Sequence, residues 1–364
     1  MKAMLLRQLG GLADNPTPLA LVEWPEPTPG EGELLLQVLT CGVCHTELDE
    51  IEGRTPPPHL PVIPGHQVVG RVAALGPPMN SSPKPSDPPH DRNPLPSASY
   101  PGFQIGERVG VAWIFSACGR CPFCLSGQEN LCPDFRATGR DAHGGYAEYM
   151  TVPAAFAHPI PATLSDVEAA PLLCAGAVGY RALRLCHLQD GQNLGLSGFG
   201  ASNHLVLKAA RYQYPHSQIF VFARSEKERA FALELGAVWA GDISETPPTL
   251  LHSIVDATPV WTPVVAMLKN LEPGGRLVIN AIRKEDSDKA AWLGMDYASH
   301  LWLEREIKSV ANVTRRDVRE FLALAAAAGI RPEVEEFRLA EANRALSDLK
   351  ARRIRGAKVL RIAW

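Results

Sequence analysis

"NLGLSGFGASNHLVLKAARY", residues 193–212, joins a short apolar run to a helical one through two glycines. "NLGLS" reads as a buried strand and "ASNHLVLKAARY" as a helix, which leaves Gly198 and Gly200 in the turn between them. Such a turn lets a pyrophosphate approach the backbone and the orphan N–H groups of a helix N-terminus. Asn203 stands where a third Gly or Ala usually sits, and reads as a helix-start residue that loosens helix packing against the sheet. The pattern G-x-G-x-x-N is weak alone; its place between a strand and a helix strengthens it.

The same rhythm continues downstream. "QIFVFA", "SIVDAT", "GRLVINAI" and "IKSVAN" read as further strands, with "SEKERAFALELG" as a helix among them. This alternation predicts an α/β doubly wound parallel sheet over residues 160–301. Residues 302–364 add helix, strand, helix, strand. Residues 1–159 are different in kind: "ELLLQVLTCG", "VIPGHQVVGRVAALG" and "GGYAEYMTVP" are short, glycine-punctuated β elements. Within them residues 77–102 hold nine of the 32 prolines and almost nothing to bury, which predicts a loop or disordered insertion.

Length and composition fit two soluble domains. The chain has 364 residues, 46% hydrophobic and 21% charged. A net charge of -3, with 36 basic and 39 acidic residues interspersed, leaves no basic stripe for nucleic acid. No apolar stretch approaches the roughly 18–20 residues of a membrane span, and no export-type apolar core follows the N-terminus. The expectation is a cytoplasmic protein with no membrane partner. There, eight cysteines suggest metal ligands or buried thiols rather than disulfides.

"CGRCPFCLSGQENLC" places Cys118, Cys121, Cys124 and Cys132 at steps of three, three and eight. Four thiolates on one compact loop suit a structural zinc; an iron–sulfur cluster is the competing occupant. "CGVCHTELDE", residues 41–50, spells C-x-x-C-H, the spacing of haem attachment, but neither export nor a distal axial ligand is visible. Catalytic zinc uses three protein ligands and leaves one position open. Cys44, His66 in "GHQVVG" and Cys174 in "PLLCAGAVGYRAL" form such a set from three distant segments, which spacing alone does not prove.

In order along the chain, "CGVCHTELD", "PGHQVVG", "CGRCPFCLSGQENLC", "LLCAG" and "SGFGASNH" resemble the motifs of the zinc-dependent alcohol dehydrogenases of the medium-chain dehydrogenase/reductase superfamily. The resemblance spans nearly the whole chain outside the proline-rich insertion. It implies a GroES-like β-rich catalytic domain (1–159, with 302–364 returning to it) and a Rossmann cofactor domain (160–301). It further implies two zinc ions, a nicotinamide cofactor, a homodimer or homotetramer, and reversible hydride transfer between NAD(P)(H) and a small alcohol or aldehyde.

Residue roles follow from the same resemblance. Cys44, His66 and Cys174 match the catalytic zinc ligands, and His45 a position that meets the cofactor pyrophosphate. Thr46 matches the hydroxyl that relays the substrate proton. Asp49 stands where relatives often have the histidine at the far end of that relay, or is a solvated surface charge. Gln67 replaces the glutamate of Gly-His-Glu and removes a negative charge from beside the metal. Trp113 and Ile114 match positions lining the substrate channel, and favour an apolar or aromatic substrate, or are plain core. After the second strand come Ala223, Arg224 and Ser225, where NAD-specific relatives carry an acid; a guanidinium and a hydroxyl there favour NADP(H), unless Arg224 is only a surface charge. Two other readings compete: a repurposed reductase of activated C=C or iminium bonds with architectural zinc, and a non-catalytic NADPH- and zinc-binding sensor.

Overall fold

A computed structural model describes residues 1–78, 102–351 and 356–362. Most of the proline-rich segment (79–101) lies outside the described residues. The chain divides into two compact units: Met1–Cys174 with Val313–Ala323 and Arg331–Trp364, and Ala175–Asn312 with Leu324–Ile330.

The first unit is β-rich. Its strands are β1 (Lys2–Leu6), β2 (Leu19–Glu23), β3 (Glu33–Val43), β4 (Val68–Leu75), β5 (Arg108–Val111), β6 (Ile114–Ser116), β7 (Arg136–Ala137), β8 (Tyr149–Pro153) and β9 (Ala157–Pro159). The 11-residue β3 is the spine, pairing antiparallel with β4 along one edge and β8 along the other. Its apolar residues Leu34, Leu35, Leu36 and Val38 are all buried, as a central strand requires. Helix α1 (His45–Ile51) leaves β3 after a single residue, and α2 (Pro122–Leu125) lies in the four-cysteine loop. Helix α3 (Asp166–Pro171) closes this part of the unit.

The second unit opens with α4 (Ala177–Leu185) and alternates β10 (Leu194–Ser197), α5 (Asn203–Gln213), β11 (Ile219–Phe222), α6 (Glu226–Glu234), β12 (Trp239–Gly241), β13 (Leu251–Asp256), α7 (Thr262–Leu268), β14 (Leu271–Ile279), α8 (Tyr297–His300) and β15 (Glu306–Ser309). All pairings are parallel, in the order β12-β11-β10-β13-β14-β15. Counted within the unit this is 3-2-1-4-5-6, the doubly wound dinucleotide-binding order, with its switch point between β10 and β13. Phe220, Phe222, Ile254, Met267, Leu268 and Leu277 form its core.

After α9 (Arg315–Ala327) come β16 (Val334–Arg338), α10 (Ala342–Lys350) and β17 (Ala357–Arg361). β17 pairs antiparallel with β3 and parallel with β16, giving the sheet path β16-β17-β3-β4-β5-β9. The unit boundaries differ from the expected 159/160 and 301/302. Residues 160–174 belong to the first unit, where Ile160 and Leu173 pack so closely over Gly110 that a Cβ there would lie 2.7 Å from each. Residues 302–312 belong to the second, because β15 extends the parallel sheet alongside β14.

Candidate functional site

Helix α1 begins in an unusual way. Cys44 is its N-cap: Sγ accepts from the backbone N–H of Thr46 at 3.3 Å, while Glu47 Oε2 accepts from the Cys44 N–H at 2.9 Å. This is a capping box with a thiol in the place of Ser or Thr. The seven-residue helix then buries three carboxylates, Glu47, Asp49 and Glu50, each of which needs a partner inside the fold.

Each finds one. Glu47 Oε1 lies 2.6 Å from His66 Nδ1. Asp49 Oδ1 accepts from Arg54 Nε at 2.5 Å, and Glu50 Oε1 from Trp113 Nε1 at 3.4 Å. His66 follows Gly65, whose φ of +100° and contact with Tyr146 (2.4 Å from an added Cβ) require glycine. Cys174 sits in a π-turn, Leu172–Gly176, a local widening that recurs at functional positions.

These segments bring Cys44 Sγ 3.6 Å from His66 Nε2 and Cys174 Sγ 3.2 Å from the same nitrogen, with all three donor atoms within 4.8 Å of one another. Two sulfurs and one imidazole at this spacing fit a tetrahedral zinc site with one open position. The electrostatics agree. The hydrogen bond to Cys174, followed by burial, holds the Cys44 thiol pKa well above its ordinary value, and a bound cation would favour its thiolate. Burial opposes charging His66, but Glu47 and Cys44 lift its pKa well above the usual imidazole range. Burial, assisted by Glu47, pushes Glu50 up to about 8. Glu50 Oε2 and Gln67 Nε2 are buried with no hydrogen-bond partner among the described residues.

Cys118, Cys121, Cys124 and Cys132 form a second cluster, their sulfurs within 4.8 Å of one another. Cys118 Sγ and Cys124 Sγ are 3.9 Å apart, far beyond the roughly 2.05 Å of a disulfide. Backbone N–H groups of Cys118, Cys121 and Cys124 each donate to a neighbouring sulfur at 3.4–3.5 Å, which stabilises thiolates around a metal. The loop is anchored by Glu129, which accepts from Arg315 N and Nε.

In the second unit Gly198 has a φ of +74° and carries the chain from β10 into α5. Asn203 is the first residue of α5, as expected, and is wholly buried beside this turn. Its Nδ2 donates to the carbonyls of Ser197 (3.0 Å) and Gly198 (2.8 Å) and staples it shut. At the end of β11, Ala223 is buried and Arg224 exposed, while Ser225 Oγ caps α6 by accepting from Glu228 N at 3.2 Å. Arg229 Nη1 donates to the carbonyls of Ala223 and Arg224, both at 2.9 Å, placing a second guanidinium at the strand end.

The alcohol dehydrogenase GroES-like domain family matches residues 30–162. "Probable alcohol dehydrogenase AdhA" of Mycobacterium tuberculosis (strain CDC 1551 / Oshkosh) is 42% identical over 362 residues, covering 100% of this chain and 97% of that protein. The chain belongs to the medium-chain alcohol dehydrogenase family. An alcohol dehydrogenase of Geobacillus stearothermophilus is 31% identical across 94% of this chain and 96% of its own. A solved NAD-dependent alcohol dehydrogenase shares the fold, with a TM-score of 0.82, 23% identity and full coverage of both chains. Membership makes this an oxidoreductase of alcohols that uses a nicotinamide cofactor, on the GroES-like and Rossmann folds.

Within this alcohol dehydrogenase the structure sorts the residues expected from sequence. It brings Cys44, His66 and Cys174 together, and the four cysteines of the loop likewise. Cys41 is wholly buried and outside both donor sets. Trp113 is half-buried with its ring edge-on to His66, centroids 6.4 Å apart. Of the two readings for Ile114, its 0% exposure fits plain core. Asp49 is corrected, because its carboxylate is buried against Arg54 rather than solvated or free at the end of a relay. His45, the first residue of α1, is exposed, and Thr46 is half-buried beside it.

Glu47, Glu50 and Arg229 are functional candidates that the sequence reading missed. For Glu47 a signal existed: a residue three positions after Cys44 in a C-x-x-E arrangement is the N3 partner of a capping box. Among the described residues no helix is long and apolar enough to cross a membrane.

Proposed function

We propose that this chain is a zinc-dependent, NADP(H)-preferring alcohol dehydrogenase and aldehyde reductase acting on substrates with an apolar or aromatic end. The observation that carries the reading is the convergence of Cys44, His66 and Cys174 within 4.8 Å, with Glu47 behind the histidine. Bound there, zinc supplies Lewis acidity to polarise a carbonyl or acidify an alcohol, and the nicotinamide supplies or accepts the hydride.

The chain's own residues supply the rest. The Glu47 carboxylate, 2.6 Å from Nδ1 of His66, favours a proton on that nitrogen and leaves the Nε2 lone pair on the donor side. The Thr46 hydroxyl, on the residue whose N–H holds Cys44 Sγ, takes the substrate proton. Asp49, already neutralised by Arg54, is not its next acceptor, so that proton passes to another group or to water. Trp113 stands edge-on to His66 and offers an aromatic wall. His45, Gly198 and Gly200 hold the pyrophosphate side of the cofactor. Arg224 and Arg229 favour a 2′-phosphate where Ala223 supplies no carboxylate for a free 2′-hydroxyl. The four-cysteine loop holds a second, structural zinc.

The chain works as a homodimer or homotetramer in the cytoplasm, where both thiol sets stay reduced. Leu293, Tyr297, Trp302 and Leu303, 47–90% exposed, are apolar surface in the β15 half of the second unit and support self-association.

The test is steady-state oxidation of NADPH, with NADH in parallel, against aliphatic, aromatic and α,β-unsaturated aldehydes. Chelator-sensitive reduction to the alcohol, faster with NADPH, is the expected result. Reduction of the C=C bond alone would replace this reading with that of a repurposed reductase, to which Gln67 and the Asp49–Arg54 pair already lend support. Saturable NADPH binding without turnover would favour the sensor.

A further inference from the structure

The second unit buries a complete ion pair at the carboxyl ends of its central strands. Ser197 and Asp256 are register partners at the ends of β10 and β13, the two strands between which the sheet order reverses. Asp256 is 0% exposed, and Lys284, which follows β14, exposes 5% of its side chain. Asp256 Oδ1 accepts from Ser197 Oγ and from Thr258 Oγ1, both at 2.8 Å, while Oδ2 pairs with Lys284 Nζ. The same Nζ donates to the carbonyls of Thr258 (2.8 Å) and Val260 (2.9 Å), which uses all three of its N–H bonds.

Stability alone is a weak reason to keep such a pair. Desolvating two charges often costs more than their attraction returns, and apolar replacements of similar volume are frequently as stable. What the pair does fix is the position of the backbone around the glycine turn. Thr258, held by both charges, lies under that turn: a Cβ on Gly198 would sit 3.0 Å from Thr258 Cγ2. On the other side, Asn280 N donates to the Asp256 carbonyl at 2.7 Å and Asn280 Nδ2 to Ser202 Oγ at 2.9 Å, reaching the residue before α5.

We propose that Asp256 and Lys284 are positioning residues for the dinucleotide, holding residues 257–260 and the 198–202 turn in the shape that the pyrophosphate requires. Ligands of open α/β sheets bind outside the carboxyl ends of the strands where the order reverses, and this pair lies at that reversal. The proposal rests on reading residues 197–203 as the cofactor turn. Ala223, Arg224 and Ser225 follow β11, on the opposite side of β10 from β13. The pair therefore sets affinity for NADPH and NADH alike and leaves the choice between them untouched.

The test is fluorescence titration of the full chain with NADPH and with NADH, alongside thermal unfolding, for the wild type, Asp256→Asn/Lys284→Met and Lys284→Arg. The double variant removes both charges together, so no lone buried charge remains. Its Kd is expected to rise about tenfold for both cofactors, with KM for the cofactor raised and KM for the alcohol unchanged. Lys284→Arg keeps the cation but not its three-acceptor geometry, and is expected to raise Kd roughly threefold. An unchanged Kd in a folded double variant would overturn the proposal while leaving the cofactor turn intact. Should the double variant fail to fold, an unchanged Kd in Lys284→Arg overturns it equally. A wild type that binds neither cofactor would instead remove the underlying reading, and the proposal with it.

Discussion

Glu47 Oε1 lies 2.6 Å from Nδ1 of His66, and the other oxygen of the same carboxylate accepts from the Cys44 N–H at 2.9 Å. One buried side chain thus orients two of the three donors that face each other across the first-unit site. It does so because α1 needs a capping partner at its third residue and His66 needs an acceptor behind its ring, and Glu47 serves both.

Replacing that carboxylate should loosen the metal before it harms the fold. Glu47→Gln is expected to weaken zinc retention about 10- to 100-fold, read by competition with a chromophoric chelator. Affinity equal to that of the wild type would show that the 2.6 Å contact does not tune the site.

Gln67 is buried one residue after His66, where the family resemblance has a glutamate. Restoring a negative charge about 4–5 Å from the reacting centre favours the protonated form of whatever titrates there, by up to roughly 3–4 kcal/mol at an effective dielectric of 20. The pH–rate profile of Gln67→Glu in alcohol oxidation should therefore move to higher pH. A profile that stays put or moves to lower pH would contradict the charge argument.

Glu50 carries a pH-dependent stability term. Its folded pKa is raised by burial from 4.5 to about 8, so folding favours the protonated form. That contribution is fully present below the unfolded value near 4.5 and is lost as pH climbs towards 8. Glu50→Gln, which cannot ionise, should be close to the wild type in Tm at pH 5 and gain on it steadily up to pH 8. Parallel Tm curves for the two proteins would count against a neutral buried Glu50.

The four-cysteine loop is expected to be structural in effect. If the wild type holds the proposed two zinc ions per chain, Cys132→Ser should hold one, and its Tm should fall by more than about 5 °C, as loss of a folding-linked metal implies. Mass spectrometry under native conditions and calorimetry check both; two zinc ions retained in the variant would point to a different second site.

On the proposed reading, cofactor choice is made at the end of β11. Ala223→Asp adds the missing acid, and should cut kcat/KM for NADPH about tenfold or more relative to NADH. Arg229→Ala should shift the ratio in the same direction through loss of a guanidinium held 2.9 Å from the Arg224 carbonyl. An unaltered NADPH:NADH ratio in both would mean that neither residue senses the 2′ position.

Much of the site was legible because its signals are local. Cys118, Cys121, Cys124 and Cys132 declare themselves within 15 residues, and the glycine turn lies between a strand and a helix that can be read on either side of it. Cys44, His66 and Cys174 are harder, since His66 and Cys174 are 108 residues apart, and only the order of five motifs along the chain singled them out. Asp49 misled, and Ile114 stayed open between channel and core, for a shared reason: a residue type and a position do not reveal which neighbour claims the side chain. Arg54 claims the first, and the core claims the second.

By itself the sequence determined the class of the fold, the alternation that builds the parallel sheet, and the four-cysteine donor set, while Cys44, His66 and Cys174 came from the family resemblance. Periodicity and ligand spacing act over short stretches that survive in one dimension. Only the tertiary structure decided that Glu47 braces His66, that Asn203 staples the glycine turn, that β15 carries the second unit as far as Asn312, and that Asp256 and Lys284 meet beneath Gly198. Burial, pairing and pKa depend on neighbours gathered from distant strands, and those neighbours exist only once the chain has closed on itself.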